Sequence, residues 1–343
     1  MTVNIAKTII ERRTIRKFKA EPVPFELMNS LLKQASSLWK SEAPQHWRCI
    51  YYDSMESRLR LAESMFAKVI DSQLGKLIPS KLTGFLTKSV LNTPVHLVFI
   101  AASSENHRQR DNNYAAVCSI MQNLQLVGWE NGLGMLWYTD PLLNNPSFFN
   151  EIGLKTGEKF AGILNIGYFD RSPKGRKRTP AEMNWTEFTT DTKPHLTNED
   201  RYISSQDILE TLNIAVWAPN DGLREPWRFI YVTGEEAVAK LAPSHGNTSL
   251  SLLIVLAKKE ADPHKQGEDY AAACCLIQNF QLLANSKGWY VRRTMPEWIY
   301  ERRLPIPLKI DLQERIVAVL EVGTVEQISY SSSTPSTLNV IRL

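Results

Sequence analysis

The chain has 343 residues, 43% of them hydrophobic, which is enough apolar mass for two ordinary cores. A formal charge of +4 is too small an excess to suit a protein that coats nucleic acid, yet it leaves room for a few arginines gathered around an anionic ligand. Four cysteines, with neither ligand spacing nor framework density, exclude a disulfide scaffold and point to a reducing compartment.

The opening residues lack the apolar core and cleavage site of a secretory signal, and no stretch approaches the roughly 18 apolar residues needed to cross a membrane. The expectation is a cytoplasmic protein without a membrane or nucleic-acid partner. In chain order, residues 5–12 predict a short helix and 14–18 an extended segment, with Pro22 and Pro24 barring a helix there. Phe25, Met28, Leu31, Leu32 and Ala35 then recur at helical spacing. Residues 47–52 predict a strand. Residues 56–90 are mostly helical, interrupted at Pro79 and Gly84, and either cover a pocket or extend the core. The apolar run 94–101 predicts a covered strand, 114–129 a helix ending at the Asn131–Gly134 turn, and 160–169 another strand.

Residues 170–200 are polar and hold Pro173, Gly175, Pro180 and Pro194. So long a connection predicts ordered packing rather than a free linker. Beyond it come a helix at 205–215, strands at 227–233 and 250–257, a helix at 270–286 and a last strand at 315–322. The Ser/Thr-rich tail from Gln327 is compatible with a loose arm or a packed strap.

The two halves repeat one another. Trp47-Arg48-Cys49-Ile50 returns 180 residues later as Trp227-Arg228-Phe229-Ile230. At an offset of 156, Tyr114-Ala-Ala-Val-Cys precedes Gln122-Asn123 as Tyr270-Ala-Ala-Ala-Cys precedes Gln278-Asn279. The simplest organisation is two related domains, drawn at 1–185 and 200–343. Between the matched anchors the second copy has 43 positions against 67 in the first, and the difference falls mainly on 56–90. Tyr114, Gln122, Asn123 and their partners suit a structural role, satisfying backbone groups where helices cross at the domain interface.

Three motifs carry a resemblance. Arg12-Arg13-Thr14-Ile15-Arg16-Lys17-Phe18 resembles the Arg-Arg-Ser-x-Arg-x-Phe opening of the FMN-dependent nitroreductase family. Ala218-Pro219-Asn220-Asp-Gly-Leu223-Arg-Glu225-Pro226-Trp227 resembles that family's Ala-Pro-Ser-x-x-Asn-x-Gln-Pro-Trp. Gly162 to Tyr168 followed by Arg176-Lys177-Arg178 resembles its closing strand and basic clamp. The resemblance implies an α+β fold, with two nitroreductase-like domains in one chain, each a mixed or antiparallel sheet packed with helices. Family members are typically homodimers that hold FMN with residues of both subunits.

Carried over to this sequence, the resemblance places Arg12, Arg13, Thr14, Arg16, Arg176 and Arg178 on the flavin phosphate. Pro219, Asn220 and Leu223 fall at the ring, with Tyr138 and Thr139 as further ring-edge contacts. The departures are complementary. The first copy has Leu38-Trp39-Lys40 and Ala43 in place of the ring motif; the second has only Arg201 near 190–203 and no basic cluster after 317–323. One chain folded as an internal pseudo-dimer would then build one complete site, bind one FMN, and remain a monomer.

The residue types suit that chemistry. Guanidinium groups offer fixed forks of donors to phosphate oxygens, and Thr14 adds a hydroxyl. Alternation in an extended segment is expected to turn Arg12, Thr14 and Arg16 to one side. Trp39 and Trp137 are the tryptophans placed to reach a pocket. His46, His96, His107 and His264 have no metal-ligand spacing, so no metal is expected. The implied activity passes hydride from NADH or NADPH to an electron-poor small molecule such as a nitroaromatic or quinone, with no side chain assigned as catalytic. A non-catalytic flavin-binding regulatory or storage protein, and a cofactor-free scaffold, remain open alternatives.

Overall fold

The computed structural model describes residues 4–40, 44–71, 80–190, 203–242, 251–301, 304–324 and 339–343. The chain divides into two compact units. The front unit comprises Arg12–Gly175 with Ser333–Leu343, and the rear unit Met1–Glu11 with Arg176–Ser332.

Each unit is an α+β body on a five-stranded sheet. In the front unit β1 (Trp47–Tyr52), β2 (Val95–Ala102), β3 (Leu133–Tyr138), β4 (Glu158–Tyr168) and β10 (Val340–Arg342) lie in the order β10-β1-β2-β4-β3. In the rear unit β5 (Trp185–Thr189), β6 (Trp227–Thr233), β7 (Ser251–Lys258), β8 (Trp289–Thr294) and β9 (Glu314–Thr324) lie in the order β5-β6-β7-β9-β8. The orientations agree as well. Four strands of each sheet pair antiparallel, and β10 and β5 join β1 and β6 in parallel.

The correspondence reaches single residues. A bulge at Ala161 separates the pairs Phe99↔Gly162 and Ile100↔Phe160, and a bulge at Val317 separates Val255↔Ala318 from Leu256↔Ile316. The bulged carbonyl is capped in both units. Trp137 Nε1 donates to Ala161 O at 3.2 Å, and Arg293 Nη2 donates to Val317 O at 3.2 Å. Arg48 grips Glu158 with two bonds of 2.8 and 2.7 Å, as Arg228 grips Glu314 at 2.6 and 2.8 Å.

The long helices α5 (His107–Glu130) and α9 (Pro263–Ser286) each start about two turns before the expected 114 and 270. Those first turns are polar and give no apolar period, but Asn106 and Asp262 cap them by accepting from Gln109 N and His264 N. Asn123 on α5 donates to Ala35 O of α2 (Phe25–Ser37) at 2.9 Å, and Asn279 on α9 donates to Ala215 O of α7 (Ser205–Ala215) at 3.1 Å. The structural role expected for these asparagines is therefore real, but each bond lies within one unit rather than at a domain interface.

The 56–90 excursion forms α3 (Met55–Asp71) and α4 (Ser80–Leu91). Leu61, Ala62, Met65, Phe66 and Val90 pack with Ile50, Val98, Ile100 and Ile163, so the excursion extends the front core. In the rear unit the shorter α8 (Glu235–Leu241) covers Ile230, Val232, Leu252 and Ile254.

The contiguous boundaries 1–185 and 200–343 do not coincide with the compact units. Helix α1 (Ile5–Glu11) packs on α7 and α9, residues 176–190 belong to the rear unit, and the chain end joins the front one. The reason is edge pairing: β5 and β10 each satisfy backbone groups that β6 and β1 would otherwise present bare. Within 170–190 the connection is ordered, with Trp185 stacked on Tyr231 and Ala181 N bonded to Asn213 Oδ1 at 2.8 Å. Residues 339–343 form a packed strap, held also by Arg342 on Asp53 at 2.7 Å. Ala43, Arg201 and the remainder of the tail, 325–338, lie outside the described residues.

Candidate flavin site

In the front unit the basic segment is fixed to the sheet's edge. Thr14 pairs in parallel with Met135 of β3, and Ile15 N donates to Met135 O at 3.1 Å. Ile15 is buried over Gly134, where a β-carbon would meet its Cβ at 2.6 Å and Phe169 at 2.8 Å. Further on, Lys19 N donates to Tyr168 O at 2.8 Å. Two backbone anchors and one buried side chain therefore set the direction of Arg16, which lies between them, while Arg12 and Arg13 precede them.

Those arginines do not share one environment. Arg12 is buried and its Nη1 lies 3.5 Å from Gln125 Oε1 on α5. Arg13 donates to Arg12 O at 2.9 Å and its guanidinium lies over Gly175. Thr14 is half-buried. Arg16 is exposed and has no hydrogen-bonding or ionic partner among the described residues. The alternation expected to turn Arg12, Thr14 and Arg16 to one side is thus broken at the end of α1, where the chain turns and Arg12 points inward. From sequence Gly134 was read only as the end of a turn, Gly175 only as part of a polar connection, and Gln125 was given no role, although a glycine beside a basic run is the available signal for close approach of a guanidinium.

Tyr138 closes β3 opposite Ile163 and packs against the front core. Burial, then the neighbouring charge and hydrogen bond of Asp140, push its phenol up to about 12. It is a neutral hydroxyl at ordinary pH. Trp137 turns to the opposite face over Gly162, while Thr139 is half-buried and its methyl lies near Gly162. Trp39 is buried in the core.

In the rear unit residues 218–227 form a tight loop. Gly222, Leu223 and Glu225 have φ of 56°, 60° and 46°. Such a backbone costs about 1–3 kcal/mol at each of the two non-glycine positions and persists only where contacts over-determine it. Asn220 Oδ1 accepts from Glu225 N at 3.2 Å, its Nδ2 donates to Ala218 O at 3.3 Å, and Lys258 N donates to Pro226 O at 3.0 Å. Arg224 is ion-paired with Asp269 and lies 3.5 Å from Glu260. Burial pushes the Asp269 carboxyl up, against the pull of Arg224. Pro219, Asn220 and Leu223 remain half-buried.

The same unit holds the second basic cluster. Arg176 is exposed, without a partner among the described residues. Arg178 is turned onto the loop, with its Nε 3.9 Å from Glu225 Oε1, its Nη2 3.5 Å from Ala218 O, and its guanidinium 5.5 Å from the Trp217 ring centre. No metal-binding group of acidic, histidine or cysteine side chains occurs among the described residues, and His96 is taken up by Asn165 and Val90 O at 2.7 and 3.0 Å. No described helix is long and apolar enough to cross a membrane.

Residues 9–168 match the model of the nitroreductase family. A Bacillus subtilis (strain 168) protein named "Putative NAD(P)H nitroreductase YfhC" is 36% identical over 180 residues, which cover 52% of this chain and 91% of that one. The chain belongs to the nitroreductase family. Among solved structures, a nitroreductase-like family protein of Bacillus cereus is 36% identical, with a TM-score of 0.47 over 53% of this chain and 95% of that one. The FMN and NADPH-dependent nitroreductase NfnB of a Sphigopyxis strain is 16% identical, with a TM-score of 0.42 over 51% and 95% of the two chains. The family-model match takes in Arg12–Arg16, Tyr138 and Thr139 of this nitroreductase-family chain, and ends before Arg176 and the 218–227 loop.

Proposed function

We propose that this nitroreductase-family chain is an NAD(P)H-dependent flavin oxidoreductase that binds one FMN and reduces an electron-poor small molecule, a nitroaromatic or a quinone. FMN, the cofactor implied by the family resemblance, would supply the two-electron chemistry by taking hydride from the nicotinamide and passing it on. The protein's task is then to bind, orient and exclude water rather than to provide an acid or base. Arg16 offers its guanidinium to the flavin phosphate, with Thr14 adding a hydroxyl and Arg13 completing the positive field above Gly175. Arg12 braces that segment on α5. Arg176 is the corresponding open cation of the second cluster. Pro219, Asn220 and Leu223, in a loop whose backbone is held in an unfavourable conformation, are assigned to the flavin ring, and Tyr138 and Thr139 to its edge. A monomer in the cytoplasm with one flavin per chain, built from two related domains, completes the reading.

The observation that carries this reading is Arg16, an exposed guanidinium with no partner among the described residues, on a segment anchored to β3. A cation so placed fits a phosphate dianion. FMN and riboflavin should be titrated against wild type and Arg16→Ala, following flavin fluorescence. One or two charge-assisted bonds at about 1.5–3 kcal/mol each predict at least a roughly tenfold loss of FMN affinity. Riboflavin, which lacks the phosphate, should bind both proteins alike. Equal FMN affinity in the two proteins would exclude the phosphate assignment. Anaerobic bleaching of bound FMN by NADH or NADPH separates an enzyme from a flavin store.

A further inference from the structure

We infer that Arg178 is a positioning residue that fixes the 218–227 loop through Glu225, leaving the exposed Arg176 and Lys177 as the cations of that cluster open to an anion. The inference rests on the flavin reading for what the loop touches, but not for the pair itself. Sequence resemblance groups Arg176 and Arg178 as equal parts of one phosphate clamp. Their surroundings are not equal.

The Glu225 side chain is 8% exposed and that of Arg178 12%, whereas Arg176 lies open. Both oxygens of the Glu225 carboxylate accept from Thr179 N, at 3.3 and 3.0 Å, so the residue after Arg178 docks on the same group. Arg178 also donates to Ala218 O at 3.5 Å, the carbonyl to which Asn220 Nδ2 donates at 3.3 Å. Its guanidinium further lies 5.5 Å over Trp217. Segment 178–179 thus clasps the loop at Trp217 and Ala218, where it begins, and at Glu225, the last of its three residues of positive φ.

The charge pattern has a chemical reason. Glu225 stands where the family resemblance leads one to expect glutamine. A carboxylate at that position, nearly shut off from water, needs a cation, and Arg178 supplies it. Once paired, Arg178 brings little net charge to a phosphate, and Glu225 beside it opposes a second anion. Arg176, two residues back along the chain, has no such neutralising partner among the described residues.

The test compares Arg178→Ala, Glu225→Gln and Arg176→Ala with wild type, using FMN and riboflavin as separate ligands. If Arg178 positions the loop, Arg178→Ala and Glu225→Gln weaken FMN and riboflavin by the same factor, within about twofold, and the double variant is no worse than either single one. Arg176→Ala should lower FMN affinity roughly tenfold and leave riboflavin unchanged. An Arg178→Ala protein that loses FMN affinity but keeps that for riboflavin overturns the inference. Thermal unfolding of the two singles and the double supplies a readout without flavin. Non-additive shifts support the clasp, and additive ones overturn it. Wild type that binds neither flavin refutes the functional reading instead, while the unfolding cycle still decides the pair.

Discussion

Replacing Glu158 by Gln keeps the shape of the side chain and removes its charge. Glu158 accepts from Arg48 Nε at 2.8 Å and Nη2 at 2.7 Å, and from Lys155 N at 2.9 Å. Arg48 also donates to Gly153 O at 2.7 Å, so the pair ties β1 to the turn entering β4. Two charge-assisted bonds have a nominal value of about 3–6 kcal/mol. Glutamine retains one acceptor, and the carboxylate side chain is still 16% exposed, so solvent screening brings the expected loss to about 1–2 kcal/mol.

The pH dependence has a definite sign. The Arg48 hydrogen bond, opposed by burial and helped by Lys155 N, holds the Glu158 carboxyl below its ordinary value of 4.5. The unfolded chain therefore takes up the proton first as pH falls. The stabilisation is complete above the ordinary value and disappears as pH falls through the lower, folded one. Urea unfolding at pH 7 and at stepwise lower pH should show the gap between wild type and Glu158→Gln closing under acid. Hydrogen exchange should place the loss in the front unit, and in the rear unit for Glu314→Gln. A gap under about 0.3 kcal/mol at pH 7, or one that persists unchanged in acid, would refute the reasoning.

Asn123→Ala leaves the Ala35 carbonyl without its bond and should cost about 1–3 kcal/mol, with Asn279→Ala acting alike through Ala215; unfolding midpoints measure both. Gly162→Ala sets a β-carbon against the Trp137 indole at a φ of 148°, and should cost about 1–3 kcal/mol while shifting tryptophan emission. His96 is pushed below 6.5 by burial, so its stabilisation is present above that value and lost as pH falls. Between pH 7 and 5 wild type should lose stability, whereas His96→Asn, already less stable, should lose less over the same range.

Much of the architecture was legible because periodic burial writes itself into periodic residue type. The 47–52 and 227–233 strands and the 205–215 helix fall where their apolar spacing places them. Strands β3, β5, β8 and β10 were not anticipated. They are the edge strands of the two sheets, half-exposed and short, and their residues carry no clean alternation. Family membership was likewise readable from the basic opening motif, since Arg12 to Phe18 lie within the matched span.

The candidate site divides along the same line. The resemblance assigned the arginines to a phosphate, and their chemistry suits it, because guanidinium forks of fixed donors match phosphate oxygens. Sequence could not tell Arg16, exposed and without a partner among the described residues, from Arg12, buried against Gln125, nor Arg176 from Arg178. Those differences depend on which neighbours long-range folding brings up: Met135 beside Thr14, Gly175 beneath Arg13, Glu225 against Arg178. The amino-acid order by itself marked the duplicated plan, through residue type and spacing, and the family, through its resemblance. Tertiary structure alone decided which segments complete each sheet and which charges are already spoken for, because strand pairing and ion pairing join residues far apart in the chain.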